Sequence, residues 1–150
     1  MIRCSHILQK HTKSRNPKDS YRNKIITRSP EEAMQNIIKI RQELIEKGVQ
    51  ENFARIAQEV SECSSCQCGG DLGTFGRGDM VKAFEDAAFK LKVGELSQPV
   101  SSESGIHLIL IIFCMASSGV LVIILFLYES FGFLLLVCFC RMWEHLIILN

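Results

Sequence analysis

Residues 61–84 read SECSSCQCGGDLGTFGRGDMVKAF, and this run from Ser61 to Phe84 holds three cysteines, five glycines and an apolar Met80/Phe84 pair. Its glycines predict an irregular loop with a fixed path over the surface, and a rigid scaffold commonly carries its chemistry on such segments. Cys63-x-x-Cys66-x-Cys68 offers sulfur donors for a tetrahedral zinc site, but no second cysteine pair follows at zinc-ribbon spacing. Cys114, Cys138 and Cys140 stand instead in apolar sequence. A redox pair of the thioredoxin kind lacks the flanking strand and helix that lower a thiol pKa. Gly78 is not followed by Lys-Ser or Lys-Thr, and Gly73 has no strand-turn-helix context, so neither phosphate-binding glycine motif is present. No metal and no cofactor is expected.

Outward from this stretch the chain divides by composition. Its 150 residues carry a formal net charge of +1, and 47% of them are hydrophobic. Almost all charge precedes residue 103; beyond Ile106 only His107, Glu129, Arg141, Glu144 and His145 are ionisable apart from Cys and Tyr. The chain thus reads as a mixed-charge body followed by an apolar tail. Seven cysteines, an odd number, and the charged opening MIRCSHILQKH predict reduced thiols without a secretory leader, hence a cytoplasmic or nuclear body.

Ile2 to Gln9 reads as a short buried strand. Lys10 to Arg28 is a basic loop, with Lys10, Lys13, Arg15, Lys18, Arg22, Lys24 and Arg28 against one acid, Asp19. It is either a solvated excursion or an anion site, since clustered Lys and Arg bind phosphate through charge-assisted hydrogen bonds. Nucleic acid is not expected, because the loop interleaves no aromatic except Tyr21. Ser29-Pro30-Glu31-Glu32 opens a helix with a capping box, Ala33 to Ile45 gives it an apolar face, and Gly48 ends it. Further helices are expected over 52–60 and 82–91, an edge strand over 96–100 interrupted by Pro99, and a buried strand from Ile106 to Ile112. This order predicts a small α+β domain with helices against a sheet. Pairing of the first and last strands at its centre would bring His6 and His107 together.

Four segments together resemble the parvulin family of peptidyl-prolyl isomerases. They are Arg3-Cys4-Ser5-His6-Ile7-Leu8, the run from Ser64-Ser65 through Gly70-Asp71-Leu72-Gly73 and Phe75 to Arg77-Gly78-x-Met80, Phe84-Glu85-x-Ala87, and Ser104-Gly105-Ile106-His107. The resemblance spans residues 2 to about 110 in family order. It implies an FKBP-like superfold, a small antiparallel four-stranded sheet surrounded by helices, with the active site in a cleft on the sheet. The basic loop and the Cys63-Ser64-Ser65 triplet are similar to the branch that acts on phosphorylated Ser/Thr-Pro bonds. No segment resembling the WW module of some relatives precedes the first strand.

By this resemblance His6, Cys63, Ser104 and His107 are the catalytic set, Leu72, Met80 and Phe84 form the proline pocket, and Lys10 and Arg15 bind phosphate. Asn16 stands where a second arginine often stands, and Val81 replaces a commonly polar residue. The implied activity is isomerisation of X-Pro bonds in proline-containing phosphoproteins, by a monomer. The four catalytic residues are expected to tune a hydrogen-bonded, electrostatic site without covalent attack by Cys63. A non-catalytic phosphopeptide-binding module with the same cleft is the alternative.

The domain is expected to occupy residues 1–112 and the apolar tail 113–150. From Leu108 to Tyr128 the chain runs 21 residues without a formal charge, which meets the length of a membrane helix. A tail anchor through residues 111–128 is one reading. The other is an aberrant C-terminus appended where the domain stops, because no polar linker separates the last strand from the candidate span.

Overall fold

β1 (Ile2–Gln9) and β4 (Gly105–Cys114) pair antiparallel along their whole length and form the middle of a four-stranded sheet of order β2-β1-β4-β3. The computed structural model describes residues 1–114. Residues 111–114, expected to open the anchor and the tail, belong to β4; expectations about the chain from residue 115 onward, the rest of the anchor included, lie outside the described residues. Among the described residues no helix is long and apolar enough to cross a membrane.

The central position explains the composition of β4. A strand covered on both faces reads as a continuous apolar run, and Ile106 to Ile111 is buried throughout. Alternate side chains serve two cores. Ile106, Leu108 and Leu110 meet Ile37, Leu44, Phe53 and Ile56 from α1 (Pro30–Lys47) and α2 (Val49–Val60) on one face. Ile109 and Ile111 meet Cys4, Phe75, Phe84 and Ala88 on the other, beneath α3 (Lys82–Ala88). The period-two alternation of a strand puts His107 on the α3 face with Ile109 and Ile111, and His6 on that face with Cys4.

α1 begins as its sequence predicts. Ser29 Oγ accepts from the Glu32 N–H at 3.2 Å, and the Ser29 N–H donates to Glu32 Oε2 at 2.8 Å, which satisfies two helix-end donors reciprocally. Gly48, at φ +94°, turns the chain straight into α2, which starts at Val49 and not at residue 52. α3 stops at Ala88, short of Leu91.

The sheet edges differ from expectation. The glycine-rich segment contains a five-residue strand, β2 (Asp71–Phe75), preceded by a 3-10 turn over Ser64–Cys68. Gly73 at φ +71° accompanies a register shift between Arg3 and Ser5, and such a bulge breaks the alternation by which a strand is recognised. The edge strand β3 is Val100–Ser102, after Pro99, where no proline interrupts the ladder. Leu96 makes only an isolated bridge to Leu110.

Much of the basic loop is structural. Arg22 donates to the carbonyls of Gln58, Glu59 and Ser61 at 2.7–3.0 Å, closing the C-terminal end of α2 where unpaired carbonyls concentrate negative charge. Arg28 pairs with the buried Glu62 at 2.8 Å, and Glu62 Oε2 accepts the Lys10 N–H at 2.7 Å.

Candidate active site

The offset between β1 and β4 positions the two histidines. His6 lies opposite Ile109 and His107 opposite Leu8, so they are diagonal neighbours on one face, within reach of ring side chains. Their Nδ1 atoms lie 3.1 Å apart with the rings 20° from parallel. Phe84, from α3, sets its ring edgewise to both, 5.7 Å from His6 and 5.2 Å from His107 between centroids.

The outer nitrogens are also held. His6 Nε2 is 3.1 Å from Ser65 Oγ and His107 Nε2 is 2.7 Å from Ser102 Oγ. Ser102 Oγ further accepts the Ser104 N–H at 3.1 Å. Two proton arrangements satisfy this chain of four side chains. In one, His6 donates from Nδ1 to His107, accepts from Ser65, and His107 donates to Ser102. In the other every donor and acceptor is reversed. Both leave one proton between the two Nδ1 atoms and both rings neutral.

Burial enforces that neutrality. It lowers the pKa of His6 to about 4 and, with a further contribution from His6, that of His107 to about 3, because a dry site disfavours the imidazolium. Nearby, burial and the charge of Asp71 raise the Cys4 thiol to about 12, so Cys4 is an inert core residue.

Above the histidines is a cavity of about 160 Å³ lined by His6, Leu8, Cys63, Leu72, Met80, Val81, Phe84, Ser102, Ser104 and His107. The structure thus gathers His6, Cys63, Ser104 and His107 with Leu72, Met80 and Phe84 in one wall. Met80 reaches it from a loop whose Gly78 N–H donates to the buried Glu85 carboxylate at 2.6 Å.

Two residues of the network were not among the candidates. Ser65 and Ser102 are the hydrogen-bond partners of the histidine rings, whereas Ser104 contributes its N–H to Ser102 and lines the cavity. Ser65 stands in the Cys63-Ser64-Ser65 triplet, but nothing in the spacing of Ser102 marks it, since its link to His107 depends on the β3-β4 hairpin. Among the described residues no group of three His, Cys, Asp or Glu side chains could hold a metal.

Lys10 and Arg15 lie outside the cavity lining and differ from each other. The Lys10 side chain, 5% exposed, donates from Nζ to the Lys18 carbonyl at 2.5 Å and to Ser20 Oγ at 2.9 Å. Arg15 is exposed, and its backbone N–H donates to the Glu103 carbonyl at 2.7 Å. That bond ties the basic loop to the turn carrying Ser104.

The geometry has counterparts in known proteins. The family profile described as the PPIC-type PPIase (rotamase) domain matches residues 6–112. The peptidyl-prolyl cis-trans isomerase pin1 of Rhizopus delemar is 51% identical over 109 residues, which cover 73% of this chain and 71% of that protein. The peptidyl-prolyl cis-trans isomerase ESS1 of Saccharomyces cerevisiae is 48% identical over 108 residues, 72% of this chain and 63% of that one. Among solved structures, the isomerase ESS1 of Candida albicans superposes with a TM-score of 0.69 at 37% identity, over 73% of this chain and 61% of its own. With that profile spanning residues 6–112 and relatives 51% and 48% identical, this chain belongs to the parvulin, or PPIC-type, family of peptidyl-prolyl cis-trans isomerases.

Proposed function

We propose that the protein catalyses cis-trans isomerisation of X-Pro bonds in protein substrates. The observation that carries this reading is a small apolar cavity floored by two neutral, mutually hydrogen-bonded histidines. An X-Pro amide resists rotation by about 18–20 kcal/mol because resonance shares charge between nitrogen and oxygen. A dry pocket disfavours that charge-separated planar form, whereas the twisted amide has lost it. Rotation is therefore accelerated by binding the twisted geometry better than either planar isomer, and no covalent bond need form.

Within this reading Leu72, Met80 and Phe84 hold the proline ring, and His6, Cys63, Ser104 and His107 line the path of the rotating carbonyl. Keeping both rings uncharged avoids fixing one planar isomer by a strong charge. All these groups come from one copy of the chain, which supports action as a monomer.

The preferred substrates are phosphoserine-proline and phosphothreonine-proline segments. Exposed Arg15 supplies the phosphate contact, and Lys10 adds the one N–H of its ammonium that Lys18 and Ser20 leave free. Protease-coupled isomerisation of a phosphoserine-proline peptide and its unphosphorylated twin tests both statements. A faster phosphopeptide supports them; equal rates reject the preference. Binding of the peptide without any acceleration of exchange would make the protein a binding module instead. Cys63→Ala should lower turnover strongly with the fold intact, and a fully active variant would remove Cys63 from the mechanism.

A further inference from the structure

A larger cavity lies apart from the proline pocket. It is an open cleft of about 520 Å³ between the loop 19–28, α1 and the end of α2, and it shares no lining residue with the pocket. The two are back to back. Leu8 and Cys63 line the pocket while the adjacent Gln9 and Glu62 line the cleft, as alternation along an extended chain requires.

The cleft has an aliphatic lip. Ile26 is buried, but its neighbour Ile25 is 71% exposed, and both line the cleft with Ile40. Its three carboxylates are all neutralised within the fold: Asp19 by Arg22 at 3.1 Å, Glu59 by Arg55 at 2.9 Å and Glu62 by Arg28 at 2.8 Å. Lys24 and Lys39 are exposed, and neither forms an ion pair among the described residues. Uncompensated positive charge therefore stands beside exposed aliphatic surface, in a cleft whose volume is that of a ligand site. No aromatic ring lines it, so the stacking by which single-stranded nucleic acid is held is missing.

We propose that this cleft docks an extended acidic segment of a partner protein, whose carboxylates pair with Lys24 and Lys39 while an aliphatic side chain covers Ile25 and Ile26. Such a segment would bind independently of any proline, and a protein carrying both an acidic segment and an X-Pro bond could hold the enzyme at two points.

Calorimetric titration of the full chain with a proline-free peptide of alternating glutamate and leucine, capped at both ends, tests this at about 0.1 M salt, where charges one Debye length apart still interact. Saturable binding is expected, weakened at least about tenfold by the double substitution Lys24→Glu/Lys39→Glu, because reversed charges repel the carboxylates. Arg15→Ala should leave it unchanged. Ile25→Asp provides a second variant that weakens binding without touching either lysine. Absence of binding, equal affinity in the lysine double variant, or loss in Arg15→Ala would overturn the proposal. So would a phosphate or oligothymidylate titration that saturates more tightly than the peptide and is lost in the same double variant. Heat of binding is read without turnover, so the result stands apart from the isomerase assignment.

Discussion

The Nδ1 atoms of His6 and His107 lie 3.1 Å apart across the two central strands, so the pair holds one proton between them and stays neutral at neutral pH. Burial lowers both pKa values in the folded chain, to about 4 and about 3, from an unfolded value near 6.5. The neutral form is therefore favoured by folding. Its contribution to stability is complete above the unfolded pKa and is lost as pH falls through the window from about 6.5 towards 4, since the unfolded chain then binds protons that the folded chain refuses. Urea unfolding at pH 7, 6 and 5 should show stability falling by up to about 1.4 kcal/mol per pH unit for each histidine. A variant with both histidines replaced by asparagine should lack that slope. Turnover should stay flat down to about pH 5.5, because neither ring protonates there; an acid limb centred near 6.5 would show the rings to be solvated.

Ser102 holds the outer end of the network through His107 Nε2 at 2.7 Å. Ser102→Ala leaves a buried ring nitrogen unpaired, which costs about 1–3 kcal/mol of stability, and frees the ring to rotate. Its turnover should fall while the affinity for a proline peptide inhibitor changes little. Ser102→Thr keeps the hydroxyl and should restore activity; a Thr variant as impaired as Ala would mean that packing at Ser102, and not its hydrogen bond, matters.

What could be read from the sequence follows how local each signal is. The α1 start rests on Ser29 and Glu32, three residues apart, and its end on Gly48, so local chemistry sufficed. The apolar runs of β1 and β4 imply a central pair, and with it the meeting of His6 and His107. β2 escaped notice because Gly73 at φ +71° breaks a five-residue strand. Ser102 escaped because its partner is set by hairpin register. The cations of the basic loop looked alike in sequence, yet Arg22 closes α2, Arg28 pairs with Glu62 and Lys10 turns inward. Those bonds join residues 8 to 39 positions apart, and spacing carries no trace of them.

The difference between Lys10 and Arg15 is testable. Lys10→Ala removes two hydrogen bonds from a buried ammonium and leaves the Lys18 carbonyl and Ser20 hydroxyl without that donor. It should lower the unfolding free energy by about 1–3 kcal/mol. Arg15→Ala removes an exposed guanidinium and should change stability by less than about 0.5 kcal/mol. It should nonetheless reduce the rate advantage of a phosphopeptide over its unphosphorylated twin. Chemical denaturation and paired rates on both variants check this; a destabilised Arg15→Ala with its phosphate preference intact would remove Arg15 from phosphate recognition.

Gly70 and Gly73 offer an internal control on how the loop supports the histidines. Both have positive φ, +83° and +71°. A Cβ on Gly73 would meet nothing within 4 Å, whereas one on Gly70 would be driven into the carbonyl oxygen of His6 and lie 3.2 Å from Ala57 Cβ. Gly73→Ala should cost only the backbone strain of an L residue there, about 1–2 kcal/mol. Gly70→Ala adds a clash with backbone that cannot rotate away, and should exceed about 3 kcal/mol. The Gly70 carbonyl also accepts the His6 N–H at 2.9 Å, and the Gly70 N–H donates to the Ser65 carbonyl at 2.8 Å. Relief of the clash must therefore displace His6 relative to Ser65, the two ends of one hydrogen bond in the network. Thermal unfolding and turnover of the two alanine variants should diverge, with Gly73→Ala active and Gly70→Ala impaired in both. Equal losses would mean that close approach at Gly70 does not hold His6 in place.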